Sequence, residues 1–156
     1  MYKKHPSVLN MWSDYLSSIG ESIDLTSKKY SSWYFDNNEK DANELAELVK
    51  RGEKRATATS LWCLEHNNEP TPKPGEYIAI INWNGIAQCI IQTTKVSIMP
   101  FDEVPTEFAF KEGEGDKSLS YWRKVHKRYF TEELQSIGLT FSEHMPVICE
   151  EFEVVF

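Results

Sequence analysis

The sequence predicts an α+β fold in which about five strands form a small β-barrel, with helices flanking it and partly covering its mouth. Three observations lead to this prediction: amphipathic stretches with helical spacing, β-rich segments between turn signals, and an Asn84-Gly85 pair between two of those segments. With 156 residues, 40% of them hydrophobic and 13% aromatic, the chain can bury a core. We therefore expect residues 1–156 to form a single domain.

The first helix is predicted at 6–19. Pro6 suits a first helical position, apolar residues follow at helical spacing, and Gly20 ends the run. After a polar connector, the aromatic residues of 30–35 favour a short strand.

A second amphipathic helix is predicted at 41–51. Asp41 and Glu44 resemble a capping box at its start, and Gly52 suits the left-handed position that often follows a helix. The next segment, 56–64, is compatible with either a strand or a second short helix.

The remaining elements are predicted from turn signals and apolar patterns: a loop at 70–75, strands at 76–83, 86–98 and 147–156, a short helix or turn at 102–110, and a helix at 117–130. Asn84-Gly85 favours a type I′ turn, because both of its central residues tolerate positive φ. Asp116 is the expected N-cap of the helix at 117–130.

The charge balance argues against a general polyanion-binding protein. The chain has 17 basic and 24 acidic residues, which gives a net charge of −7. Two local basic clusters nevertheless suit a phosphate group or a short oligonucleotide; they are Lys50, Arg51, Lys54 and Arg55, and Arg123, Lys124, Lys127 and Arg128. Solvated helix ends and faces are the alternative interpretation of both clusters.

The sequence favours a reduced, cytoplasmic protein. No stretch approaches the ~18 apolar residues that span a membrane. The amphipathic N-terminal segment contains Asp14, which is not typical of a secretory signal. Three cysteines, at 63, 89 and 149, cannot all pair with one another and form no Cys-x-x-Cys motif.

No metal or cofactor is expected. Among the histidines and cysteines only Cys63 and His66 lie close in sequence, and they have no matching second pair. His126 falls on the apolar side of its predicted helix, which favours a core or rim histidine over a catalytic base. The chain contains neither a Walker loop nor a dinucleotide fingerprint.

Two short stretches are candidates for chemistry. The first is Gly52-x-Lys54-x-x-Thr57, where the turn after a helix can hold polar side chains toward a cleft. The second is the segment 112–116, in which three carboxylates alternate with two glycines. We interpret the second stretch as a flexible loop that presents a carboxylate at a cleft rim, where repulsion and partial burial raise the pKa of at least one member. A solvated turn is the alternative.

These stretches resemble the ASCH domain family, which is related to the PUA fold. The helix followed by Gly-x-Lys-x-x-Thr is similar to the family signature. Pro72 to Tyr77 resembles the family's loop before the barrel hairpin, and Thr93 to Val96 resembles the strand after it. Further segments resemble one bacterial branch; they are Pro100 to Val104, Phe108-Ala109, Glu112 to Asp116, Trp122-Arg123 and His126. The resemblance covers about residues 30–156, and residues 1–20 resemble an N-terminal helical extension of that branch.

The resemblance implies a PUA-like barrel of five or six strands, with a cleft beside the signature and an association with RNA. Small bacterial relatives hydrolyse the amide of acetylated cytidine with a Lys, a Thr and a Glu, and another relative resembles a ribonuclease for single-stranded RNA. Carried over, the catalytic residues are Lys54, Thr57 and Glu112, with Glu114 as the alternative carboxylate. The small amidohydrolases continue the signature as Thr-x-Arg, whereas Thr59 stands at that position here.

Three functions follow as hypotheses. In the first, a metal-independent amidohydrolase, Thr57 attacks, Lys54 is the base and Glu112 positions Lys54 or the leaving group. The second is a ribonuclease that uses the same cleft. The third is a non-catalytic RNA-binding module in which the basic clusters bind phosphates and Trp33, Tyr34 or Trp62 stacks on bases.

The expected ligands follow from these hypotheses. We expect a modified nucleoside or a short single-stranded RNA, with no membrane partner and no DNA specificity. Candidate binding residues are Arg51, Arg55, Glu114, Arg123 and His126. Substitutions at the catalytic trio are expected to leave the thermal midpoint nearly unchanged.

Overall fold

The computed structural model describes residues 4–156. Its helices are α1 (Pro6–Ser18), α2 (Glu39–Lys50), α3 (Leu61–His66), α4 (Thr106–Glu112) and α5 (Leu119–Ser136), with a short 3₁₀ turn at Phe101–Glu103. Its strands are β1 (Tyr30–Trp33), β2 (Ala56–Ser60), β3 (Tyr77–Ile81), β4 (Ala87–Pro100) and β5 (Pro146–Val154). The α+β class and the number of strands are as predicted.

The five strands form one mixed sheet in the order β1-β3-β4-β5-β2. β1 runs parallel to β3, whereas the β3–β4 and β2–β5 pairs are antiparallel. Within residues 4–156, no pairing joins the edge strands β1 and β2, so the barrel of the sequence prediction is present as a sheet that is not closed. The ambiguous segment 56–64 contains both predicted alternatives, a strand followed by a short helix.

Helix α2 begins earlier than its predicted capping box. Asn38 is the N-cap, because its Oδ1 accepts a hydrogen bond of 2.9 Å from the backbone N–H of Asp41. Its Nδ2 in turn donates to the Asp41 carboxylate at 2.7 Å. Asp41 therefore supports the cap from inside the first turn, and the prediction of Asp41 as the cap was wrong. Gly52 follows the helix with φ of 73°, as expected.

The turn between β3 and β4 is not type I′. Gly85 has φ of 79°, but Asn84 is not among the residues with positive φ, so only one of the pair is left-handed. The side chain of Asn82 explains the difference, since its Oδ1 accepts from the N–H groups of both Asn84 and Ile86. The backbone of Asn82 and Ile86 is also bonded at 3.0 Å, which leaves a three-residue loop between them.

The chain divides into two compact units, each with its own core. One comprises 1–52, 75–93 and 152–156, and the other 53–74 and 94–151. In the first, Trp12 and Leu16 of α1 pack with Ala79 and Ile90. The prediction of a single domain over 1–156, with 1–20 as an extension, stays a prediction.

The second unit contains the predicted catalytic residues. Its core joins Ala56 and Cys149 of the β2–β5 ladder to Phe108 of α4 and to Trp122 and Phe130 of α5. One face of this ladder is therefore covered by α4 and α5. Within residues 4–156, no helix is both long and apolar enough to cross a membrane.

Candidate active site

Lys54 is a buried ammonium group held by three oxygen-bearing groups. It lies in the connector between α2 and β2 and is only 1% exposed. Its Nζ donates to the carbonyl oxygen of Ala56 at 2.8 Å and to Glu112 Oε1 at 3.1 Å, and it lies 3.8 Å from Glu114 Oε2. Lysine is almost never fully buried unless it is paired, and these contacts provide that pairing.

The 112–116 segment reaches Lys54 because its glycines allow very close packing. Gly113 is left-handed with φ of 71°, and a Cβ placed on it would lie 2.2 Å from the carbonyl oxygen of Glu53. A Cβ on Gly115 would lie 2.4 Å from the ring of Tyr121. This segment is therefore packed closely against Glu53 and Tyr121 at its two glycines. Its flexibility stays a prediction.

The second oxygen of Glu112 binds two groups of α5. Oε2 accepts from the indole Nε1–H of Trp122 and lies 3.1 Å from His126 Nε2. The other ring nitrogen of His126, Nδ1, is 2.9 Å from the carbonyl oxygen of Trp122. The two rings also stack, with centroids 4.2 Å apart. Glu112, itself 2% exposed, thus links Lys54 to α5.

These contacts set the protonation of the site. Burial alone would raise the pKa of Glu112, but the charges of His126 and Lys54 outweigh burial and hold this pKa at about 2. Burial would likewise lower the pKa of Lys54, but Glu114 and Glu112 raise it above its ordinary value. The pKa of His126 is also raised, since Glu112 outweighs the effect of burial. The ionised forms of all three are favoured.

The sequence predicted a raised pKa for at least one carboxylate of the 112–116 segment. Two of the three have a lowered pKa instead, and for the segment as a whole the expectation stays a prediction. Glu112 has a lowered pKa because it faces cations rather than other carboxylates. Asp116 also has a lowered pKa, because its side chain accepts hydrogen bonds from Ser118. Ser118, and not Asp116, is the N-cap of α5: its Oγ accepts from the N–H of Tyr121 at 3.0 Å.

Thr57 lies on β2, next to the peptide group that Lys54 binds. Ala56 and Ala58 pack toward the core formed with α4 and α5, so strand alternation turns the half-buried Thr57 side chain to the opposite face. Glu112 lies on the helical face, since it is the last residue of α4 and accepts a hydrogen bond from Trp122 of α5. The structure thus brings Lys54 and Glu112 into contact and places the Ala56–Thr57 peptide beside them.

The predicted binding residues fall into two groups. Glu114 and His126 join Lys54 and Glu112 in the buried cluster. Arg51, Arg55 and Arg123 are exposed. The backbone N–H of Arg55 donates to the carbonyl oxygen of Lys111 at 2.7 Å, which ties the connector to the end of α4. One Arg123 nitrogen donates to the carbonyl oxygen of Asp102 at 3.3 Å.

Sequence reasoning missed two groups. Trp122 is a direct hydrogen-bond partner of Glu112, and its i,i+4 spacing with His126 was the signal that both side chains reach one point. Glu150, 5% exposed, lies opposite Thr57 in the β2–β5 register. No sequence signal identified Glu150, because the residues of the predicted last strand do not show which of its faces is buried.

The ligand atoms of Glu112, Glu114 and His126 lie within 4.8 Å of one another, a spacing that suits a metal ion. The sequence prediction weighed only cysteines and histidines as metal ligands, so it did not include this group. The Lys54 ammonium, however, already supplies the cation between the two carboxylates. We therefore assign none of the three as a metal ligand.

Comparison with known proteins identifies the class of fold. An ASCH domain structure from Lactobacillus crispatus JV V101 is similar, with 34% identity, coverage of 99% of this chain and 98% of that chain, and a TM-score of 0.89. Protein EF3133 from Enterococcus faecalis V583 is 34% identical over 95% of this chain and 87% of that chain, with a TM-score of 0.82. The hypothetical protein PH0355, at 19% identity and a TM-score of 0.54, is similar in fold alone.

These likenesses define a PUA-like α+β protein of the ASCH type. The profile of the ASCH domain family matches residues 31–156, and the chain belongs to that family. No protein of curated function matches the sequence.

Replacement of Gly113 by alanine should disrupt the site more than the same change at Gly52. Both glycines are left-handed, with φ of 71° and 73°, so both variants incur the ~1–2 kcal/mol cost of that conformation in an L-residue. Only at Gly113 does the new Cβ meet backbone, at Glu53. Denaturant unfolding should show the larger loss of stability for Gly113→Ala; equal losses would contradict the close packing of this segment.

Glu112→Gln should destabilise the protein at neutral pH, by about 3–5 kcal/mol, because Lys54 and His126 lose their buried counter-charge. This replaces the expectation of an unchanged thermal midpoint. Since the folded-state pKa of Glu112 is below its ordinary 4.5, its stabilising effect is present above pH 4.5 and is lost as the pH falls toward about 2.

The difference in free energy of unfolding between the wild type and Glu112→Gln should therefore become smaller as the pH falls from 4.5 toward about 2. Unfolding curves measured from pH 7 to pH 2 check this, with Glu107→Gln, an exposed position on the same helix, as the matched control. If that difference in free energy of unfolding does not change with pH, Glu112 is not held as an anion.

Proposed function

We propose that the protein is a metal-independent amidohydrolase that removes the acyl group from a modified nucleoside of the acetylated-cytidine type. The observation that supports this most directly is the buried Lys54 ammonium, bound to Glu112 and to the carbonyl that precedes Thr57. Burial of a charged lysine is costly, and strongly perturbed groups of this kind concentrate at functional sites. The family membership adds the association of PUA-like folds with RNA.

Thr57 is the nucleophile in this proposal. Within residues 4–156 its hydroxyl has no hydrogen bond that would have to be broken before attack on a substrate carbonyl. The Thr57 oxygen forms a bond to the acyl carbon, the carbon–nitrogen bond breaks, and water then hydrolyses the resulting ester to release the acid.

Lys54 serves as a proton relay rather than as a free base. Because its pKa is raised, it begins the reaction as an ammonium. It gives one proton to the leaving nitrogen and takes the proton of the Thr57 hydroxyl through one water molecule, because the Thr57 side chain leaves β2 on the face opposite Glu112. The charge of Lys54 is restored at the end of the step. Its positive charge also stabilises the oxyanion that forms on the substrate. Glu112 holds Lys54 in place throughout.

Thr57→Val should reduce hydrolysis of acetylated cytidine by several orders of magnitude, because it removes the nucleophilic oxygen and keeps the shape of the side chain. Thr59→Val is the matched control, since Thr59 lies on the same face of β2 two residues further on. Lys54→Met/Thr57→Val should be little worse than either single variant. Release of cytidine, measured by chromatography, checks these expectations.

The outcomes separate the candidate enzymes. Equal activity of Thr57→Val and wild type would overturn Thr57 as nucleophile. A wild-type protein that is inert toward acetylated nucleosides but cleaves single-stranded RNA would favour the ribonuclease that the same Lys54 site could support, with the ammonium stabilising charge on phosphoryl oxygens.

A second candidate function, RNA binding without catalysis, is favoured by one observation on α5. Its basic residues Arg123, Lys124, Lys127 and Arg128 are all exposed, whereas Trp122 and His126 of the same helix are buried in the cluster. Four cations on one exposed helical face can follow a phosphate backbone, and their location beside the site would bring a strand toward it.

Reversal of Lys124 and Arg128 to glutamate should weaken binding of a short single-stranded RNA if this face contacts phosphates. Each lost contact should lower the slope of log affinity against log salt by about 0.7. Fluorescence anisotropy at roughly 50 to 200 mM salt measures this slope, because phosphate contacts weaken strongly over that range. Lys73→Glu, a change at an exposed loop position, is the control. Salt-independent binding would remove α5 as the interface.

A further inference from the structure

His126 lies between two hydrogen-bond acceptors. Its Nδ1 is 2.9 Å from the carbonyl oxygen of Trp122, and a carbonyl oxygen can only accept, so Nδ1 carries a proton. Its Nε2 is 3.1 Å from Glu112 Oε2. A proton must also lie between these two atoms, on either the imidazole or the carboxyl group.

The other contacts of Glu112 place that proton on the histidine. Oε1 already accepts from the Lys54 ammonium, and Oε2 also accepts from the Trp122 indole. A carboxylate with donors on both oxygens is best left without a proton of its own. The imidazole, 8% exposed, then carries a proton on each nitrogen and donates in both directions.

We propose that His126 is a positioning residue held as an imidazolium, which fixes Oε2 of Glu112 while Lys54 occupies Oε1. Two cations thus share one buried carboxylate. The charged side chains that face His126 are Glu112 at the end of α4, Glu114 in the following segment and, across Glu112, Lys54. The rings of Trp122 and Phe130 form its apolar surroundings, with centroids 4.2 and 5.7 Å away.

The catalytic consequence rests on the proposed function. A second positive charge across Glu112 makes the Lys54 proton easier to release, because like charges disfavour one another. His126 therefore eases the transfer of the Lys54 proton to the leaving nitrogen, and it does so without touching the substrate. It also prevents Glu112 from turning away from Lys54.

The protonation state can be tested by nitrogen NMR on the unmodified protein. An ordinary histidine is roughly nine-tenths neutral at pH 7.5. We expect both ring nitrogens of His126 to be protonated at that pH, with the signals assigned by their loss in His126→Gln. One unprotonated ring nitrogen at pH 7.5 would overturn the proposal, whatever the enzyme does.

The positioning role is tested by the pH profile of His126→Gln with acetylated cytidine. The glutamine keeps a donor but has no charge. We expect kcat to fall by roughly tenfold or more with a smaller change in KM. The decrease in wild-type kcat that accompanies loss of the His126 proton at alkaline pH should be absent from the variant. The control is His144→Gln, an exposed histidine that lies 3.2 Å from Asp102.

These results separate the two proposals. A lower stability with the same kcat and the same alkaline decrease as the wild type would show that His126 has only a structural role and would overturn its positioning role. If the wild-type protein does not hydrolyse the substrate, the proposed function fails, while the NMR measurement still decides whether His126 is an imidazolium. That measurement needs no variant to be active.

Discussion

The buried ion pair between Lys54 and Glu112 is the interaction on which the rest of the candidate site depends. Two side chains with almost no contact with water can both stay charged only if each has close partners of opposite charge or suitable dipoles. The chain supplies them from three places: the carbonyl of Ala56 on β2, the carboxylate of Glu114, and Trp122 and His126 on α5. The pair thereby fixes how α4, α5 and the connector before β2 meet.

Helix α5 shows how one element serves both the interior and the surface. Residues spaced by four, Trp122 and His126, reach inward to a single carboxylate oxygen. Arg123 and Lys124, which lie between them in sequence, are cations that face water. An α-helix with its side chains is only about 10–12 Å across, so a ligand bound to the exposed face of α5 would lie close to the buried charges on its other side.

Much of the fold could be predicted because its signals are local. The spacing of apolar residues placed α1 and α2, and the turn residues placed the β3–β4 hairpin near its observed position. The errors occurred where a side chain changed a local preference, as Asn38 does at the start of α2 and Asn82 does in the hairpin loop. Asn38 lies outside the predicted capping box of Asp41 and Glu44, and Asn82 lies outside the Asn84-Gly85 pair.

The site was less predictable, because its contacts join distant parts of the chain. The sequence pattern pointed to the two stretches that contain Lys54 and Glu112, but the choice of these two residues as partners came from a resemblance to a family. The sign of the pKa shift at Glu112 could not be predicted, since it depends on which cations reach that carboxylate. In the sequence, Gly113 and Gly115 suggested a flexible loop. In the structure, these two glycines allow the 112–116 segment to pack closely against Glu53 and Tyr121.

The distance between the two partners along the chain has a consequence for how the protein folds. Lys54 and Glu112 are 58 residues apart, so the loop between them must close before either charge can leave water without great cost. Until α4 reaches the connector, the start of β2 must stay hydrated, because its neighbour Lys54 cannot be buried alone. Desolvation of this part of the sheet is thus delayed until both segments are present, which protects a growing or partly unfolded chain from burying an unpaired charge.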